Sequence, residues 1–349
     1  MDWLKLTMNR IFIPLLLSLL VSACGEDKPS FSLYSDQNIF QQSASTLNNK
    51  IDVLFVIDNS GSMAPVQQNL TNNFRSFIEN FVTQGYDFKI AVTTTAAWTA
   101  PFLNDTSVSR WKDGSSAGHT GIYVIDPQTP NLINTFVTNA TQGINGTGDE
   151  RAFQSLKTSL QNSNNSDFRR DDAFLAIVIV SDEDDFSHDG SQYLNNNYSD
   201  NRLHSVQSYI DYLHSYTQST DTVRKYSVSS IAIFDNSCLT NNSPWGIVGQ
   251  RYGQITDATE GVKGSVCGNF AQTLESIQSK IAELSTQFYL NRQPVVSSIK
   301  VVVNGAEIFQ NSTNGWSYNT TSNSVRFHGT AIPPQGSVII VDFDPITIK

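Results

Sequence analysis

Asp58, Ser60 and Ser62 carry the first chemistry in this chain. They close the stretch IDVLFVIDNSGSM at 51–63, where an apolar run stops at an aspartate and turns through two serines. A buried strand over 53–57 would deliver Asp58 to the carboxyl edge of a sheet, where open α/β folds keep their ligand sites. All three side chains offer oxygen. Magnesium, calcium and manganese take such ligands, whereas zinc and copper favour His and Cys. Taken alone, the five-residue pattern reads equally as a strand followed by a polar-capped Ser/Gly turn.

Two later segments have the same build. The most apolar run, AFLAIVIVS at 173–181, stops at Asp182, and the stretch NGTGDERAF places Thr147 just before a helical pattern. The elements around them alternate. A helix of about 20 residues is marked by Phe74, Phe77, Ile78 and Phe81, and a strand over 88–95 follows. A Gly-, Ser- and Pro-containing excursion at 96–120 leads to a short strand near 121–126 and a helix around Leu132 to Val137. Helices are then expected at 149–160, 206–216, 252–259 and 271–288, with strands at 173–181 and 227–234. This alternation predicts an α/β fold with a doubly wound, mostly parallel, Rossmann-like sheet.

In such a sheet the loops holding Asp58, Thr147 and Asp182 meet above the carboxyl edge. The three together resemble a von Willebrand factor A domain with its metal-ion-dependent adhesion site, whose pattern is DxSxS, then a threonine, then an aspartate. The resemblance runs from about Lys50 to Tyr289. It implies that Asp58, Ser60, Ser62, Thr147 and Asp182 hold Mg2+, or Ca2+ or Mn2+, and leave one position open to a carboxylate from a protein partner. Thr141, six residues before Thr147 in the same loop, is the alternative threonine. Glu183 departs from the family, where glycine is common. The run Asp184, Asp185 beyond it reads as solvated surface, or as ligands of a second ion. His188 lacks a second His at ligand spacing and reads as surface loop. In the excursion, Trp98, Phe102 and Trp111 read either as a partner-contacting rim or as packing, with Phe102 the more inclined to pack.

From 291 onward the texture changes to short β-type runs separated by turn pairs such as Asn304-Gly305 and Asn314-Gly315. That stretch is expected to be a small all-β module, with Trp316, Tyr318 and Phe327 in its core. It is too small to bury much alone, so it should lean on the α/β domain. The expected organisation is a signal peptide at 1–23, a polar tether at 24–49, the A-type domain at 50–290 and the β module at 291–349.

The amino end points to the cell envelope. Lys5 and Arg10 precede an apolar run of about a dozen residues, too short for a bilayer that needs roughly 20. The run ends in Leu20, Val21, Ser22, Ala23 and Cys24, which resembles a bacterial lipobox and implies diacylglyceryl attachment at Cys24. Gly25 after the cysteine implies, by the same resemblance, sorting to the outer membrane. Cys238 and Cys267 remain, and in an oxidising compartment a disulfide between them is expected. With a net charge of -10 and a pI near 4.9, the chain has no basic stripe for nucleic acid. The sequence carries no GxSxG elbow, P-loop, HExxH or CxxC.

The reading is therefore a non-catalytic envelope lipoprotein that binds a protein ligand, by adhesion or other interaction, through a divalent ion. One alternative is a scaffold subunit of an envelope complex. Another is a phosphohydrolase with Asp58 as nucleophile, which the absence of a lysine or second aspartate in the first loop disfavours.

Overall fold

The computed structural model describes the backbone of 36–41 and residues 50–241, 246–334 and 336–346. All of these lie in one compact unit, Ser35–Lys349. Cys24 and the expected signal segment lie outside the described residues. Among the described residues no helix is long and apolar enough to cross a membrane.

After β1 (Asp36–Gln41) come β2 (Lys50–Ile57), α1 (Ala64–Thr83) and β3 (Asp87–Thr94). The excursion then holds a short α2 (Ala100–Leu103) and a hairpin of β4 (Gly114–Ser115) and β5 (Gly118–His119), and it returns through β6 (Val124–Ile125). Next are α3 (Leu132–Ala140), α4 (Ala152–Gln161), β7 (Phe174–Val180), α5 (Val206–Tyr216) and β8 (Tyr226–Ala232). The α/β part ends with α6 (Asn236–Asn241), α7 (Gln250–Ala258), β9 (Lys263–Ser265) and α8 (Phe270–Ser285). The β module holds β10 (Phe288–Tyr289), β11 (Lys300–Val303), β12 (Ala306–Ile308), β13 (Trp316–Asn319), β14 (Ser324–Phe327) and β15 (Val338–Phe343).

The central sheet has the order β6-β3-β2-β7-β8-β9, with only β6 antiparallel. Counting only strands of this sheet, that is 3-2-1-4-5-6, the order of a doubly wound fold whose switch point lies beside the first strand. Alternation along β2 explains why both faces are covered. Val53, Phe55 and Ile57 pack with Phe74, Phe77 and Phe136 from α1 and α3, and with Leu274 and Ile277 from α8. Leu54 and Val56 face Phe153, Tyr209, Leu213 and Tyr252 from α4, α5 and α7. On the first face the Phe55, Phe74 and Phe77 rings meet edge-on at 5.3 and 5.6 Å, a preferred aromatic geometry.

The disulfide joins Cys238 and Cys267 with Cα atoms 5.6 Å apart, tying α6 to the segment after β9.

The β module is two small sheets, β1-β15-β11-β12 and β10-β14-β13, enclosing Val301, Trp316, Phe327 and Ile339. It leans on the α/β part through Arg326, whose guanidinium pairs with Glu260 and stands 4.0 Å from Glu283 on α8. One expectation changes here. Within 24–49, read as a polar tether, Asp36–Gln41 forms a strand antiparallel to β15, from Asp36 opposite Phe343 to Gln41 opposite Val338. Its sequence, DQNIFQ, has too little alternation to announce a strand; pairing with a distant edge makes it one.

Candidate metal centre

Ile57 stands opposite Val180 in the parallel register of β2 and β7, so the residues that follow emerge side by side at the switch point. The Asp58 amide donates to the Val180 carbonyl at 2.8 Å and the Ser181 amide to Ile231 at 3.1 Å, carrying the ladder one step past the strands. Asp58 is buried. Its Oδ1 accepts the Ser60 amide at 2.8 Å and its Oδ2 the Ser181 hydroxyl at 2.6 Å. Ser60 and Ser62 share a hydroxyl contact of 2.8 Å, and the Ser62 hydroxyl donates to Asp182 Oδ1 at 3.0 Å. Four of the five expected ligands, Asp58, Ser60, Ser62 and Asp182, thus form one hydrogen-bonded group.

Thr147 is held at the same edge but outside that group. The loop at 143–148 docks on the first loop through a 2.6 Å bond from the Gly146 amide to the Asn59 carbonyl. A Cβ on Gly146 would stand 2.8 Å from that carbonyl oxygen, so glycine is what permits the approach. The half-buried Thr147 hydroxyl lies 3.4 Å from the Asp149 carbonyl and bonds to none of the other four ligands. Thr141, the alternative, is committed elsewhere: its hydroxyl donates to Val137 at 2.8 Å at the end of α3.

Charge is what sets this edge apart. Asp58, Glu150, Asp182 and Glu183 are all buried. Among the described residues none of them pairs with a Lys, Arg or His, whereas the buried Asp52, Asp149 and Asp185 each pair with an arginine. Burial, with the neighbouring Asp58 charge, pushes Asp182 up to about 6 and Glu183 up to about 8. Burial also raises Asp58, and burial plus the charges of Asp58 and Glu183 lifts Glu150 well above the usual carboxylate range. Both Glu150 oxygens and Asp182 Oδ2 lack a hydrogen-bond partner. Desolvated carboxylates without partners are costly unless protonated or met by a cation. Among the described residues no group of three or more His, Cys, Asp or Glu is arranged as a metal cage. A site built largely from hydroxyls does not require one. The donor set is all oxygen and negatively charged, and it fits a hard divalent ion.

The rest of the third loop corrects the reading of it as solvated surface. Asp184 and Asp185 are buried. Asp184 caps the start of α7, accepting the Arg251 amide at 3.1 Å and the Tyr252 amide at 3.3 Å, with the Tyr198 hydroxyl at 2.8 Å. Carboxylates are favourable there because helix N-termini present free N–H groups. Asp185 pairs with Arg251 at 3.1 Å and accepts the Phe153 amide in the first turn of α4. Both acids hold helices, and a second ion at them is not needed. His188, expected on the surface, is only 1% exposed, with its two ring nitrogens on the Phe186 and Gln192 carbonyls. Arg151 explains why: wholly buried, it pairs with Asp149 and donates to the His188 and Gln192 carbonyls, clamping the third loop to the second. Its guanidinium lies 3.6 Å over the Trp98 ring.

Trp98 and Trp111 are packing residues, at 4% and 1% exposure, and the inclination of Phe102 to pack is reversed, since it is 48% exposed. Glu150 and Ser181 are the residues the sequence reading missed. Both adjoin a residue it named, being next to the helix start after Thr147 and next to Asp182, and an acid just before an apolar helix face was the available signal.

No protein-family model matches the chain, and no curated protein matches it. Among solved structures, proximal thread matrix protein 1 from the mussel byssus is 12% identical, covers 71% of this chain and 50% of its own, and has a TM-score of 0.39. The pilus adhesin SpaC from Lactobacillus rhamnosus GG is 10% identical, with 87% of this chain and 40% of its own covered at a TM-score of 0.39. The pilus adhesin RrgA from Streptococcus pneumoniae is 11% identical, with 88% and 57% covered at 0.35. This chain spans 40% to 57% of the length of these three structures.

Proposed function

We propose that the chain is a metal-dependent, non-catalytic protein-binding module of the cell envelope, with Asp58, Ser60, Ser62, Thr147 and Asp182 holding a hard divalent ion, Mg2+ by first preference and Ca2+ or Mn2+ otherwise. The observation that carries this reading is the set of four buried carboxylates at the switch point with no basic side chain against them among the described residues. A bound divalent ion would supply positive charge and an electrophilic position for a partner's carboxylate. The protein's own part is to hold the donors. Ser60 and Ser62 bring neutral oxygens, so the protein does not cancel the ion's charge, and Asp58 is fixed by the Ser60 amide and the Ser181 hydroxyl. Ser62 orients Asp182. The first loop places Ser60 and Ser62 where a phosphoryl-transfer site would want a lysine or second aspartate, which disfavours Asp58 as a nucleophile. Anchoring through Cys24, probed by its removal, and placement in the outer membrane belong to the same reading and rest on the sequence.

Calorimetric titration with magnesium and manganese tests it. Asp58→Ala and Asp182→Ala should each weaken binding by at least about 100-fold, more than loss of a supporting residue does. Unchanged affinity in both variants, with native far-UV spectra, would end the proposal.

A further inference from the structure

Beside the carboxylate group the excursion and the first two loops enclose a cleft of about 640 Å³. Asn59 and Thr147 line the side next to the proposed ion, and Arg110, Lys112, His119 and Tyr123 line the rest. Its charge is opposite to that of the protein, which carries -10 overall. Arg110 lies 3.7 Å over the Tyr123 ring, and among the described residues its guanidinium has no carboxylate partner; its Nε is buried without a hydrogen bond. The Lys112 ammonium donates to the Val108 carbonyl at 2.6 Å and pairs with no carboxylate within 4 Å among the described residues. Asp113, the acid lining this cleft, is already engaged by His119 at 2.9 Å and by the Gly121 amide at 3.2 Å. Burial brings Lys112 down to about 8 against the opposing pull of Asp113 and Asp105, so its charge at neutral pH is held in a poorly hydrated place. Two cations with no carboxylate in contact among the described residues, one of them oriented by an aromatic face, make a receptor for an anion.

We propose that this cleft takes a second carboxylate of the bound ligand, so that the partner is an acidic protein segment with one carboxylate at the carboxyl-edge site and another on Arg110 and Lys112. The inference rests on the metal-dependent binding reading and adds the class of ligand to it. The two halves depend on each other. The buried acids would repel such a segment, and an ion there removes the repulsion while the cleft supplies attraction. A carboxylate on Arg110 gains charge-assisted hydrogen bonds that a singly acidic ligand cannot make.

The test uses two fluorescein-labelled peptides, hexaglutamate and hexaglutamine carrying one glutamate, titrated by anisotropy in magnesium and in EDTA. Wild type in magnesium should bind hexaglutamate at least about tenfold more tightly than the singly acidic peptide, the size expected of one added charge-assisted contact. Arg110→Gln with Lys112→Gln should erase that preference while calorimetric magnesium affinity stays unchanged. Ser116→Asp, at an exposed position on the cleft, leaves both cations in place and should also reduce it. Equal binding of the two peptides by wild type overturns the proposal, as does an undiminished preference in both variants. If the preference survives EDTA and Asp58→Ala yet disappears in the Arg110 and Lys112 variant, the cleft stands and the metal reading falls.

Discussion

Asp52 lies near the start of β2 and Asp58 one residue past its end, six positions apart and equally buried, yet the protein treats them in opposite ways. At the amino end Asp52 accepts the Arg170 amide at 2.8 Å, the Arg170 Nε at 2.9 Å and the Arg169 guanidinium at 3.2 Å. At the carboxyl end Asp58 receives only an amide and a hydroxyl, and three more acids crowd around it. The same division recurs within the third loop. Asp185 has Arg251, while Asp182 and Glu183, two or three residues away, have no basic partner among the described residues. A buried acid with its arginine is a structural fastening. A group of buried acids without one is, on the proposed reading, a place for a cation from solution.

The largest effect separates the two ends of β2. Asp52→Ala should cost about 3 kcal/mol by removing the one carboxylate that faces Arg169, while Arg170 keeps Asp87, read as a lower urea midpoint. Asp58→Asn should leave metal-free stability at pH 8 unchanged or raised. If Asp58→Asn destabilises as much as Asp52→Ala, the contrast is wrong. Next in size, Arg251→Met should lower stability by about 2 to 4 kcal/mol, since it strands Asp185, whereas Glu183→Gln should raise the metal-free melting temperature at pH 8.

The pH dependence sharpens the same comparison at smaller amplitude. Asp182 rises from 3.8 to about 6 and Glu183 from 4.5 to about 8 on folding. Between roughly pH 4 and pH 8 the folded chain therefore binds more protons than the unfolded one, and metal-free stability should fall as pH climbs through that window. Millimolar magnesium should flatten the slope, and ion affinity should weaken as pH drops and protons compete. A metal-free melting temperature that rises from pH 5 to pH 8 would contradict this. The smallest effect belongs to Lys50 and Asp172, an exposed pair at the amino end, 2.7 Å apart. Lys50→Ala should change stability by less than about 1 kcal/mol, a measure of how little the distance alone means without burial.

Much of the fold was legible because its signals are local. The helix α5 is where its apolar spacing puts it, and the small strands of the β module form in the turn-separated runs after 291. Asp58 and Asp182 were legible because a strand that stops at an acid needs no distant information. The third loop was not, since Asp184 and Asp185 are held by Arg251, which lies 67 and 66 residues later, and no periodicity encodes that. The three-residue β9 has no apolar run to mark it, and Trp98 owes its burial to a guanidinium from another loop. Glu150 was passed over because an acid before a helix ordinarily faces water.

The pairing of β1 with β15 has a practical consequence for anyone dissecting this protein. A fragment started at Lys50, the natural cut if 24–49 were mere leash, would strip the outermost strand from the carboxyl-terminal sheet and leave the backbone groups of β15 facing solvent along its whole length. Bared edges of that kind recruit strands from other molecules. Such a fragment should self-associate where one started before Asp36 stays monodisperse, and its clumping would say nothing about the adhesive behaviour of the intact chain.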